Sequence, residues 1–97
     1  MLGKAISITS VAFEGVKDKG GKPYILHCLR VMDSVKHLGE DAMCVAVMHD
    51  LVEDTNYTIE SLYALGFNPK ICSALSLLTH DPNVMPYDDY IKGISTN

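Results

Sequence analysis

Cysteine is scarce and unpaired in this sequence. Cys28, Cys44 and Cys72 are odd in number, far apart and each set among apolar neighbours, which excludes both a disulfide framework and a CxxC metal knuckle. They read as buried thiols in a reducing cytosol. Basic charge is equally thin: eight Lys and Arg stand against twelve Asp and Glu, for a net charge of −4. Phosphate-backbone affinity needs a basic surface, so general nucleic-acid binding and docking on an acidic membrane are excluded. No stretch approaches the roughly eighteen uninterrupted apolar residues that span a bilayer, and the opening MLGKAISITS lacks the apolar run of a signal peptide. The expectation is a soluble, cytoplasmic protein. Sustained alternation of apolar and polar residues, internal repeats, low-complexity tracts and domain linkers are also missing, which leaves little room for a sheet or a solenoid.

What remains is helical periodicity in a chain that is 47% hydrophobic and 97 residues long, enough for one core. The sequence predicts an all-α fold: one compact domain over 1–97, of about five to six helices. So short a chain depends on well-packed helices, a bound metal or a second copy of itself for stability. Leu2, Ala5, Ile6, Thr9, Ala12, Phe13 and Val16 share one face of a first helix running to about Lys17. DKGGKP breaks it, with Gly20 and Gly21 free to take positive φ and Pro23 placed to open a helix from about Tyr24 to His37. Gly39 reads as the cap that ends it.

Seven consecutive apolar residues, Ala42 to Met48, predict a central buried helix with HDLVED at its C-terminal end. Thr58 is a cap for a short helix stopped by Gly66, Asn68 and Pro69 start another, and Tyr87, Tyr90, Ile91 and Ile94 begin a last one.

The chemistry concentrates in HDLVED. On a helix, His49 and Glu53 are four residues apart, as are Asp50 and Asp54, so four ionisable groups fall on one flank. Emerging from the most apolar helix of the chain they are partly buried, and a divalent cation is the simplest compensation for their charge. Imidazole with carboxylate suits Mn²⁺, Fe²⁺, Co²⁺ or Zn²⁺ better than a thiolate site does. His27 is the natural third ligand, because a short loop after Gly39 folds its helix antiparallel to the HD helix. Glu53 and Asp54, not needed as ligands, are placed to orient a water or move its proton.

Six of the eight basic residues lie in the first 36 positions, while most carboxylates follow Glu40. A small phosphorylated ligand would bridge the two halves. Lys19 and Lys22, beside Gly20 and Gly21, are candidates for its phosphates, though solvated loop lysines are equally common.

GKPYILHCLRV, VAVMHDLVEDTNYT and LGFNPKICSALSLLTH together resemble the HD-domain superfamily, specifically its RelA/SpoT-like (p)ppGpp hydrolase branch, from about Ala12 to Asn97. PYxxH followed by HDxxEDT at this separation is the specific part. The resemblance implies a helical fold, one Mn²⁺ held by His27, His49 and Asp50, Glu53 and Asp54 handling the attacking water, and removal of the 3′ pyrophosphate from a guanosine nucleotide. It also implies that Tyr24 lines the nucleotide pocket; packing of a helix start is the other reading. The chain departs from the family before PYxxH. Where the family carries His, Gln and Arg, it has Phe13, Val16 and Asp18, and only the Lys that follows them is kept, as Lys19. The family's fourth metal ligand, an Asp of a later helix, would fall beyond residue 97, so the C-terminal helices of an HD domain are expected to be missing. The alternatives to (p)ppGpp hydrolysis are a phosphatase for a different nucleotide, suggested by the altered stretch before Gly21, and a non-catalytic HD module that binds a nucleotide or a partner, suggested by the incomplete ligand set.

Overall fold

The computed structural model describes residues 1–80, and every described segment of regular structure is helical. The order is α1 (Leu2–Ala12), α2 (Tyr24–Ser34), a 3-10 turn over Lys36–Leu38, α3 (Glu40–Met48), α4 (Leu51–Asp54), α5 (Ile59–Ala64) and α6 (Pro69–His80). The loop after His80 and the expected last helix around Tyr87 to Ile94 lie outside the described residues.

Helix α3 is the hub, as its apolar run predicts. Ala42 and Cys44 to Met48 are buried, and α1, α2 and α6 all pack against it. Met48, Leu51, Leu62, Phe67, Ile71 and Leu75 are the largest side chains sealed in the core, each contributing about 1.5–3 kcal/mol by leaving water. Val35, at the end of α2, clusters with Ala42 and Ala46 of α3, while the rings of His27, at the start of α2, and His49, just past the end of α3, lie 6.2 Å apart. The two helices therefore run antiparallel, which brings the start of α2 to the end of α3. Polar ties fix the other helices on this hub: Glu40 accepts from the Leu2 backbone N–H at 3.0 Å, and Asn68, ahead of α6, donates to Asp41 at 3.1 Å. The three cysteines are buried and free, and burial pushes the Cys28 and Cys44 thiols up to about 11.

Two helix ends differ from the sequence expectation. Helix α1 stops at Ala12 rather than Lys17, because Gly15 turns the chain at φ +79° and the next residues pair with the far side of the loop. Tyr24 N–H donates to the Val16 carbonyl at 2.8 Å, and Lys17 bridges Pro23. Of the two loop glycines only Gly21 has positive φ. Helix α2 ends at Ser34 and the chain tightens into the 3-10 turn before Gly39.

HDLVED is also not one uninterrupted helix. Its first two residues lie between α3 and α4, although both keep right-handed backbone angles. The His49 ring bonds the Ala46 carbonyl at 2.7 Å, the acceptor that a continuous helix would offer to the Asp50 N–H, and a side chain inserted in the ladder is a recognised cause of a break.

Candidate metal centre

The antiparallel pairing of α2 and α3 puts His27, in the first turn of α2, across from His49, with ring centroids 6.2 Å apart. His27, His49 and Asp50 each offer a ligand atom, all within 4.8 Å of one another. His49 and Asp50 are largely sealed, their side chains 13% and 14% exposed, because Met48 before them and Leu51 after them are anchored in the core.

A backbone carbonyl can only accept, so the Nδ1 of His49 carries the hydrogen it donates to Ala46. That fixes the ring and turns Nε2 toward Asp50 Oδ1, 3.1 Å away. The space between these atoms is one for a proton or a cation. Two ligand atoms each about 2.1 Å from an ion and about 90° apart lie about 3.0 Å from each other, so this pair already has the separation of neighbouring ligands. The donors, two imidazoles and a carboxylate, fit a divalent transition-metal ion, and the carbonyl bond to the far side of His49 is the support usual for a ligating histidine.

Tyr24, at the start of α2, donates its hydroxyl to Asp50 Oδ2. Its ring packs against those of Phe13, with centroids at 4.9 Å, and His27, at 5.4 Å. Burial, and then the carboxylate of Asp50, push the Tyr24 phenol well above its ordinary range, so it remains a protonated donor. Tyr24, expected in the substrate pocket or at a helix start, opens α2 and touches a candidate ligand.

Beside the cluster is a cleft of about 190 Å³ lined by Ala12, Phe13, Val16, Tyr24, Asp54 and Thr55. Its walls are mostly apolar, with Asp54 the charged group in the lining. Glu53 and Asp54 are exposed on α4, outside the three-residue cluster. The structure thus brings His27, His49 and Asp50 together, puts Asp54 in the neighbouring cleft and leaves Glu53 in solvent. Lys19 and Lys22 are exposed on the loop before α2.

Asp18 organises that loop. Its Oδ1 accepts from the Gly20 and Lys22 N–H groups at 2.8 and 3.0 Å, and the Lys22 bond, first among its causes, lowers its pKa. An Asp two residues before glycine is a signal for this kind of side-chain turn. Nothing in the sequence signalled the Tyr24 to Asp50 bond.

Compared with models of known protein families, the chain matches none. Among characterised proteins it is similar to a guanosine-3′,5′-bis(diphosphate) 3′-pyrophosphohydrolase of Haemophilus influenzae, 42% identical over 53 residues, which are 53% of this chain and 8% of that protein. A probable GTP pyrophosphokinase of Mycobacterium leprae is 39% identical over 66 residues, 59% of this chain and 8% of its own length. A probable guanosine-3′,5′-bis(diphosphate) 3′-pyrophosphohydrolase of Synechocystis is 43% identical over 49 residues, covering 48% and 6%. The similarity therefore spans less than a tenth of these much longer relatives, all of them named for guanosine-nucleotide phosphate chemistry.

Proposed function

We propose that this chain carries the metal-binding part of an HD-type phosphohydrolase site acting on a phosphorylated nucleotide, with (p)ppGpp and loss of its 3′ pyrophosphate as the leading reading. The observation that carries the proposal is the convergence of His27, His49 and Asp50 within a chain similar to proteins named as (p)ppGpp pyrophosphohydrolases. His27, His49 and Asp50 would hold one divalent ion, Mn²⁺ first, with Fe²⁺, Co²⁺ or Zn²⁺ suited to the same donors. Such an ion polarises a phosphoryl oxygen and lowers the pKa of a water.

Asp54 borders the cleft, and Glu53 precedes it on α4; these are the carboxylates assigned to orient the attacking water and accept its proton. Attack of water on the phosphorus attached to the 3′ oxygen would form a new P–O bond as the old one breaks, so that the 3′ oxygen leaves and takes up a proton and pyrophosphate is released carrying the water's oxygen. Lys19 and Lys22 are assigned to the phosphate groups, and the ring of Tyr24 to the wall against which the nucleoside rests.

A phosphatase for a different nucleotide is the second reading, and the cleft favours it. Phe13 and Val16 line it, and the Asp18 carboxylate is tied to loop backbone.

The test is release of phosphate and pyrophosphate from a panel of nucleotides including ppGpp, with Mn²⁺ and with chelator. Mn²⁺-dependent pyrophosphate release from ppGpp is expected, with His49→Ala abolishing metal uptake and turnover. Glu53→Gln should spare metal and slow turnover by about a hundredfold or more. Normal turnover in the His49 variant would overturn the mechanism. Release from another nucleotide alone would favour the second reading, and metal binding without hydrolysis of any nucleotide would favour a non-catalytic binding module.

A further inference from the structure

The carboxylate of Asp50 has two oxygens with different partners. Oδ1 faces His49 Nε2 at 3.1 Å, and Oδ2 accepts the hydroxyl of Tyr24, a residue 26 positions earlier on another helix. A carboxylate engaged this way favours offering one oxygen to an ion, because swinging to offer both would turn Oδ2 away from the hydroxyl. We propose that Tyr24 is a positioning residue for the metal centre: its hydroxyl occupies Asp50 Oδ2 and thereby presents Oδ1 alone, beside His49 Nε2, as the ligand atom. The inference rests on the metal-site reading above.

The phenol is itself held in place. The Phe13 and His27 rings pack against it, with centroids 4.9 and 5.4 Å from its own, so the hydroxyl is delivered from a fixed direction rather than by a free rotor. The neighbouring ligand His27 lies one helical turn from Tyr24 on the same helix, so α2 carries both a ligand and the support for a ligand on another element. Support of this kind is worth about tenfold to a hundredfold in metal affinity when removed from characterised sites. Tyr24 also lines the cleft, so a substrate there would rest on the ring whose hydroxyl aims the ligand.

Tyr24→Phe separates these roles, since it keeps the ring and removes only the hydroxyl. Mn²⁺ affinity is to be measured on the full chain by titration followed by electron paramagnetic resonance, alongside thermal melting in chelator. The expected result is a loss of affinity of about tenfold to a hundredfold with a chelator melting midpoint close to that of the parent. Unchanged Mn²⁺ affinity with a raised KM would overturn the proposal and make Tyr24 a substrate contact. A variant that no longer folds would also overturn it, since the hydroxyl would then be a structural tie. If the parent chain takes up no Mn²⁺, the metal-site reading fails and this inference with it; if the parent binds and Tyr24→Phe binds equally, only the inference fails.

Discussion

Asp18 illustrates how one side chain can change role within a recognisable loop. Its carboxylate accepts two backbone N–H groups in a segment that also carries Lys19 and Lys22, so it shapes the stretch assigned to phosphate. Because those bonds hold its pKa below the ordinary 3.8, they favour the folded state at neutral pH. That contribution is lost as pH falls below 3.8 and through the lowered value. Asp18→Ala is therefore expected to melt lower than the parent at neutral pH, with the two curves converging in acid; melts across a pH series check this, and a gap that stays constant with pH would show that the charge is immaterial. The turn that Asp18 makes is legible in an Asp two residues before Gly20, whereas its reach to the Lys22 N–H depends on how the loop closes. His27, His49 and Asp50 were legible because helix spacing and one short loop determine where they meet. The Tyr24 to Asp50 contact depends on rotamers and on the tilt of α2 over α3, which periodicity does not encode.

At the scale of elements, the helices were legible and their ends less so. The apolar run 42–48 identified the hub, and Thr58 caps α5 as expected, accepting from Ser61 N–H at 3.0 Å while the Ser61 hydroxyl accepts from Thr58 N–H at 2.9 Å. Val16 kept the helical spacing of α1 but is 43% exposed in the loop, since spacing alone cannot tell a helix from a turn that happens to continue it. Gly39 joins the 3-10 turn to α3 at φ +104° and ψ 177°, a conformation essentially reserved for glycine. Gly39→Ala has open space for its Cβ, so its cost is backbone strain, expected at about 1–3 kcal/mol. Chemical denaturation should show this as a lower midpoint with unchanged slope. A silent substitution would mean that the junction relaxes, and the antiparallel placement of α2 on α3 would owe little to this residue.

For the molecule as a whole, the candidate ligands come from two segments, α2 and the α3–α4 junction, that meet only when the chain folds. An ion bound there is bound by the folded state, and its binding energy becomes folding energy. At free Mn²⁺ one hundred times the dissociation constant the stabilisation is about 2.7 kcal/mol. With a shift of about 4–8 °C per kcal/mol for a small domain, the melting midpoint should rise by roughly ten degrees or more. The rise should vanish with excess chelator and in His49→Ala, while Glu53→Gln, whose carboxylate lies outside the cluster, should keep it. Mg²⁺ at the same concentration should do less, because imidazole donors suit it poorly. Equal shifts for the parent and His49→Ala would mean that the ion binds exposed carboxylates elsewhere. That outcome would leave the His49 and Asp50 pair as a proton-sharing contact, and the catalytic reading would lose its physical basis even if the likeness to nucleotide hydrolases stood.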